Sequence, residues 1–262
     1  MPKILIVVHM AGYSADMKKI SELCNNFGVK IIEDASHALG SGYEDSKVGS
    51  CQYSDICVFS FHPVKMITTL EGGMATTNNV ENYHSMKRLS AHGIAREEKF
   101  FSQPPSSPLF YEQIELGYNY RMNDVQAALG ISQLKKLDQF VTKRQEIAAY
   151  YSQHVNTGDF ALPSYKDNRS TSFHLFIVQC LEVERRDFVF YQLRKKNIMC
   201  NIHYIPIYRH KYHQFVDQSR ISEFDNSEKY YKRAISLPIY PGLKKSEQDF
   251  TIETLNALGS YS

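Results

Sequence analysis

The tightest constraint in this chain is a strand-helix-strand pattern at its start. Lys3 to Val8 is a short β-branched run, after which Met17, Ile20, Leu23, Cys24 and Phe27 recur at helical spacing until Gly28 stops the helix. Ser14 is placed to cap that helix, and Val29 to Ile32 reads as a second buried strand. Such a unit commits both strands to a parallel sheet with a right-handed crossover and puts ligands beyond the carboxyl ends of the strands. Glu33 and Asp34 stand at one of these ends.

The pattern predicts a further strand over Asp55 to Phe61, a polar turn over His62 to Thr69, a short strand over Gly73 to Thr77 and a helix from Val80 to Ala91. Ser102 to Pro108 holds three prolines and three serines and reads as an exposed loop. One long helical region is predicted from Asn123 to Val155, with Asn123 or Asp124 as its cap and Gly130 as its weak point. Beyond Gly158 the pattern is that of a small α+β domain. It comprises an alternating run over Ser172 to Cys180, an amphipathic helix over Glu184 to Lys196, a strand over Met199 to Tyr204 and a last helix over Ser246 to Leu258. The expected division is therefore residues 1–139 as one domain, and residues 140–262 as a linking helix with a small C-terminal domain.

Composition narrows the partners. With 30 Lys+Arg against 28 Asp+Glu the net charge is +2, and no dense basic run occurs, so a nucleic-acid partner is not expected. No apolar run is long enough for a signal-peptide core or a membrane span, which makes a cytoplasmic protein the expectation. The five cysteines show no CxxC and no paired metal spacing, and read as reduced core residues. His203, His210 and His213 cluster in a tyrosine-rich stretch, but their spacing matches no known ligand pattern and no carboxylate lies among them, so no metal site is expected.

The candidate chemistry lies in three groups, each at or just past a predicted strand end: Glu33-Asp34-Ala35-Ser36-His37, Ser60-Phe61-His62-Pro63-Val64-Lys65 and Glu71-Gly72-Gly73. Lysine is the side chain that forms Schiff bases with carbonyls, and burial or a positive neighbour makes its amine easier to deprotonate. Alone, Lys65 would read as a solvated surface residue and Asp34 as a turn cap. An acid, a histidine, a serine and a lysine gathered at one sheet edge could instead hold a small anionic aromatic cofactor.

Taken together these motifs resemble the DegT/DnrJ/EryC1/StrS family of pyridoxal-phosphate-dependent sugar aminotransferases. Ser60-Phe61-His62-Pro63-Val64-Lys65 followed by Ile67-Thr68-Thr69-Leu70-Glu71-Gly72-Gly73 looks most like its members in pseudaminic acid synthesis. The likeness runs from Val8-His9-Met10-Ala11-Gly12 through Gly117-Tyr118-Asn119-Tyr120-Arg121-Met122-Asn123-Asp124 to Leu237-Pro238-Ile239-Tyr240. It implies an α/β fold of the fold-type I transferase class, with an incomplete, mostly parallel large domain and a small α+β domain. It also implies pyridoxal 5'-phosphate as cofactor, bonded to Lys65, with Asp34 on the pyridine nitrogen, His37 near the ring and Ser60 on the phosphate. Asn119 would reach the phosphate in a neighbouring subunit, so a homodimer is implied. His62, His92, His203 and Tyr204 match positions near the sugar.

The substrates so implied are a nucleotide-linked 4-keto-6-deoxy sugar and an amino donor, glutamate. Lys65 would be both covalent anchor and general acid/base, and its retention favours transamination over the dehydration carried out by relatives with histidine there. Members of the family have longer chains, and this one resembles them without an N-terminal part that holds a phosphate-binding turn and an aromatic ring partner. The alternative expectation is thus a catalytically inactive truncated remnant, or a subunit that pairs with a full-length homologue or with a missing N-terminal fragment.

Overall fold

Five residues of β1 (Ile4–Val8) run parallel to β2 (Lys30–Asp34), from Ile4 opposite Lys30 to Val8 opposite Asp34, joined through α1 (Met17–Asn26). The structure is a computed structural model that describes residues 2–166, 168–213 and 222–259. It divides into two compact units: residues 1–10 with 14–137, and residues 11–13 with 138–262.

In the first unit β2 also pairs in parallel with β5 (Ile56–Ser60), and β5 pairs antiparallel with β6 (Gly73–Thr76), giving the order β1-β2-β5-β6. Between β2 and β5 lies the two-residue hairpin β3 (Gly42–Tyr43) and β4 (Ser46–Lys47). Three parallel strands therefore bring their carboxyl ends to one side of the sheet, and the start of β6 returns to the same side with Gly73 opposite Ser60. Helix α2 (Val80–Leu89) follows, capped by Asn79, whose side chain accepts the Asn82 N–H at 2.9 Å. Short β7 (Ile94–Ala95) and β8 (Glu112–Gln113) form a second hairpin.

Two apolar clusters fill this unit. One gathers Ala35, Ala38, Cys57, Phe59, Phe61 and Ile67 around β5, and the other packs Met17 and Cys24 of α1 on Val7, Ile31 and Tyr43. Ile4, Ile6 and Val8 of β1 are exposed, and among the described residues β1 pairs with β2 alone.

The predicted Ser14 cap does not form. Helix α1 starts at Met17 with Asp16 at the cap position, and the Asp16 carboxylate instead accepts the Tyr43 hydroxyl at 2.8 Å. The predicted long helix is two: α3 (Asp124–Leu134), closed at its start by an Asn123–Gln126 capping box, and α4 (Leu137–His154). The break falls at Lys135–Lys136, not at Gly130, and carries neither glycine nor proline.

In chain order the second unit holds α4, the short strands β9 (Phe160–Ala161) and β10 (Arg169–Ser170), β11 (Phe176–Cys180), α5 (Arg185–Lys195), α6 (Asp225–Tyr231), β12 (Ala234–Leu237) and α7 (Lys245–Gly259). Its sheet has the order β12-β11-β9, all antiparallel. Tyr151, Phe160, Phe176, Leu193, Ile235 and Leu255 are its buried centre. The strand predicted over Met199 to Tyr204 is a single bridge, Asn201 opposite Ser236. All five cysteines are buried thiols, and burial pushes those of Cys180 and Cys200 up to about 11.

One buried charge fixes this core. Arg144 on α4 donates to the carbonyls of Phe173 at 3.1 Å, His174 at 3.2 Å and Ile239 at 2.9 Å, and burial lowers its guanidinium to about 10. Removing the guanidinium takes a donor away from all three loop carbonyls, which makes its loss costly. Arg144→Met is expected to lower the unfolding free energy by about 2–3 kcal/mol in urea titration, whereas Lys143→Met, one residue away and exposed, changes it by less than about 0.5 kcal/mol.

Candidate functional site

The carboxyl ends of β1, β2 and β5 carry the densest set of reactive side chains. After β2 the chain turns tightly, with Ala38 N donating to Ala35 O at 2.9 Å and Ser41 N to Ala38 O at 3.0 Å. Asp34 begins this turn, and its Oδ1 accepts the Ser36 N–H at 3.0 Å, a local bond that fixes the carboxylate orientation. The same turn places His37, which is buried, beside Ala38 of the β5 cluster.

Ser60 ends β5, and its Oγ accepts the His62 N–H at 3.4 Å. The chain from Phe61 to Gly72 then folds on itself. Lys65 N donates to His62 O at 2.9 Å, Thr69 N to Phe61 O at 3.0 Å and Phe61 N to Gly72 O at 2.9 Å. Met66, Ile67 and Thr69 are buried and anchor this turn, while His62, Pro63 and Val64 are exposed. Glycine is required at its end: Gly72 has φ +155 with Thr69 Oγ1 against any side chain, and a Cβ on Gly73 would meet Phe59 O at 2.6 Å.

Lys65 is thus half-buried on a loop with little freedom. Burial lowers the pKa of its ammonium, and the Asp34 carboxylate acts in the opposite direction. The aspartate ends β2, and the lysine stands on the turn that leaves the adjacent parallel strand β5. Asp34, His37, Ser60 and Lys65 therefore lie around the same sheet end.

The remaining predicted residues lie on other segments of the chain. Asn119 lies on an exposed stretch bridged to Ala91, with Tyr118 and Tyr120 stacked on each other at 4.8 Å beside it. His92 adopts φ 65 and its N–H donates to Tyr118 O at 2.8 Å. His203 and Tyr204 belong to the second unit, where His203 Nδ1 lies 2.7 Å from Ser236 Oγ and the Tyr230 hydroxyl donates to the His203 carbonyl at 3.0 Å. Among the described residues no group of three or more His, Cys, Asp or Glu is arranged to hold a metal ion, and no helix is long and apolar enough to cross a membrane.

One part of the site is not apparent from residue types. Fully buried His9 follows β1; its Nε2 lies 2.6 Å from Glu33 Oε2, and its Nδ1 accepts the Ala15 N–H at 3.1 Å. Ser54 donates to the other Glu33 oxygen. A backbone N–H can only donate, so Nδ1 is unprotonated and Nε2–H is the group that donates to Glu33. His9 N also donates to Asp34 O at 3.1 Å, tying the backbone of the site aspartate to the end of β1. The signal available in the sequence is a histidine immediately after a strand, opposite an acid preceding the site acid.

The chain is 37% identical over 253 residues to the UDP-4-amino-4,6-dideoxy-N-acetyl-beta-L-altrosamine transaminase of Campylobacter jejuni, covering 95% of this chain and 64% of the relative. The solved structure of Helicobacter pylori PseC, an aminotransferase involved in the biosynthesis of pseudoaminic acid, superposes with a TM-score of 0.85 at 30% identity, over 98% of this chain and 67% of that one. The pyridoxal-phosphate form of Spr1654 from Streptococcus pneumoniae, a sugar aminotransferase by its description, superposes at 0.84 with 26% identity, over 98% and 68%. The chain spans about two thirds of the length of the curated relatives it matches. With residues 2–256 matching its pattern, the chain belongs to the DegT/DnrJ/EryC1/StrS aminotransferase family.

Proposed function

We propose that this chain is a cytoplasmic aminotransferase. It moves an amino group from glutamate to a nucleotide-linked 4-keto-6-deoxy sugar, for surface glycan or flagellin sugar synthesis, and uses pyridoxal 5'-phosphate. The observation that carries the reading is a half-buried lysine on the turn after β5, where burial favours the neutral amine and the Asp34 carboxylate at the end of neighbouring β2 acts in the opposite direction. The relatives named for a UDP-sugar transaminase and for pseudoaminic acid synthesis support the substrate class.

The residues present fit the cofactor by their chemistry. Lys65 offers an amine that burial shifts toward its neutral, nucleophilic form, and Asp34 offers an anion for a protonated ring nitrogen. The Ser60 hydroxyl, whose oxygen already accepts one N–H, retains its own hydrogen for a phosphate oxygen. His37 adds a buried ring on the same turn as Asp34. When bound, pyridoxal phosphate supplies an electron sink for the carbon that loses a proton.

The chain's own residues then divide the work. Lys65 Nζ takes the α-proton of the amino donor and, in the other half-reaction, delivers a proton to the sugar carbon that receives nitrogen. Asp34, set by its bond from Ser36, holds the opposing charge in place. Asn119 reaches the phosphate in the partner of a homodimer, and His62, His92, His203 and Tyr204 contact the sugar.

A second reading has one observation in its favour: the exposed apolar residues Ile4, Ile6 and Val8 on a strand paired along one side. Such an edge is a template for another chain, and suits a subunit that acts only with a full-length homologue or a complementary fragment.

Two measurements test the proposal. Trapping with pyridoxal phosphate and borohydride, read by peptide mass spectrometry, is expected to give one dominant adduct on Lys65. Lys65→Ala should leave only weak, scattered labelling. A Lys65 adduct without keto-sugar turnover would favour the second reading, and uniform labelling of all lysines would remove the first. The second measurement is the pH dependence of Lys65 acylation under limiting reagent. Because burial lowers its pKa, Lys65 should react at lower pH than exposed lysines such as Lys143. Asp34→Asn removes the opposing carboxylate, so the midpoint should move further down. An upward or absent shift would show that the two groups do not interact.

A further inference from the structure

The peptide unit that follows Asp34 is held at both of its polar atoms. Its carbonyl accepts the His9 N–H at 3.1 Å from the end of β1, and its N–H, that of Ala35, donates to the Val58 carbonyl of β5 at 2.9 Å. The two anchors are not equally supported. Strand β5 is paired on both sides, by β2 and β6, whereas β1 pairs with β2 alone among the described residues, and its Ile4, Ile6 and Val8 are exposed. The last rung of a ladder on such a strand frays unless something beyond the strand holds it. Just past that rung the chain leaves the strand direction, with Ala11 at φ 61 in the short helical turn Met10–Gly12.

What holds the rung is the His9 ring. Fully buried, it is fixed at both nitrogens: Nδ1 accepts the Ala15 N–H at 3.1 Å, and Nε2 donates to Glu33 Oε2 at 2.6 Å. Ser54 Oγ donates to Glu33 Oε1. Neighbouring side chains on a strand stand on opposite faces of the sheet, and burial follows this alternation, with Ile31 and Glu33 buried and Ile32 and Asp34 partly exposed. The network therefore lies across the sheet from the Asp34 carboxylate and reaches it only through the main chain. Lys65 is held by a separate set of bonds, those within the turn from Phe61 to Gly72.

We propose that His9 and Glu33 are positioning residues: from the far face of the sheet they fix the Asp34 main chain against edge strand β1, and so set where the Asp34 carboxylate stands relative to Lys65. The inference rests on the reading given under Proposed function, which assigns that carboxylate and that amine their roles.

The pH midpoint of Lys65 acylation, measured on the full chain without cofactor or sugar, reads the Asp34 carboxylate, because that group opposes the effect of burial on the lysine. His9→Leu and Glu33→Leu are each expected to move the midpoint down, in the direction of Asp34→Asn, and to add nothing when combined with Asp34→Asn. His9→Gln keeps a donor at the place of Nε2 and Glu33→Gln keeps an acceptor for it, so both should return the midpoint toward that of the parent chain. Met17→Ala removes buried packing of α1 on the same face of the sheet; it should lower the melting temperature and leave the midpoint in place. Circular dichroism and thermal melting identify variants that do not fold. Where the leucine variants fail, Ser54→Ala, which takes one bond from Glu33, replaces them with the same expected direction. An unchanged midpoint in folded His9→Leu or Ser54→Ala, a further shift on top of Asp34→Asn, or a Met17→Ala shift as large as that of His9→Leu would each overturn the assignment. So would a Glu33→Gln midpoint equal to that of Glu33→Leu, which would put the effect on charge instead of on the hydrogen bond. Trapping at Lys65 reports separately: midpoints that move as expected without a pyridoxal adduct would sink the aminotransferase reading and leave the positioning, whereas an adduct with unmoved midpoints would do the reverse.

Discussion

The hydrogen bond between His9 and Glu33 is the contact on which the site depends most. Both side chains are buried, and the imidazole joins the end of β1, the segment leading into α1 and the acid of β2. A buried polar pair with one partner removed leaves an unsatisfied group, which costs about 1–3 kcal/mol, so the three segments are bound to one another at this point. Ser54, just before β5, closes the network on the other carboxylate oxygen. The aspartate that follows Glu33 takes its position from that arrangement, because its carbonyl accepts the His9 N–H.

Parallel pairing does the rest of the positioning. Three strands that point the same way gather Val8, Asp34 and Ser60 at one rim, and antiparallel β6 brings Gly73 back to it. The turn between Phe61 and Gly72 can then be short and internally bonded, with its lysine half-buried and neighbours such as Met66 and Ile67 fully so. Glycines at 72 and 73 are needed where the backbone closes against Thr69 and the Phe59 carbonyl. The chemistry of Lys65 follows from this confinement: burial and the nearby carboxylate act on its charge in opposite senses, and burial is the larger.

Much of this was legible in the sequence because it is written in local patterns. The βαβ unit shows in β-branched runs around a helix of regular apolar spacing, and the strands found, Ile4–Val8, Lys30–Asp34 and Ile56–Ser60, lie within a residue or two of those expected. Asp34 and Lys65 were legible as types at strand ends, and the structure puts them within electrostatic reach. What escaped was set by tertiary contact. Four-residue β12 is buried throughout and shows no alternation, so it has no period to detect. The break between α3 and α4 lies in ordinary helix formers and coincides with the boundary between the two compact units, at Leu137. Met199 to Tyr204 has strand composition, yet its backbone meets β12 at one bridge only.

Charge was the least legible property. A net charge of +2 over 262 residues predicts no strong anion preference, and it averages over a surface that is locally uneven. Helix α2 places Lys87 and Arg88 on neighbouring positions, and the hairpin after it adds Arg96, yet Arg121 comes from a distant stretch of chain. Glu115 and Glu97, which might have neutralised this cluster, are spent on Arg88, Lys99 and His84. Pairing, rather than composition, therefore determines the local field. In a chain of nearly balanced charge this is how one face can be locally basic while the molecule as a whole is not.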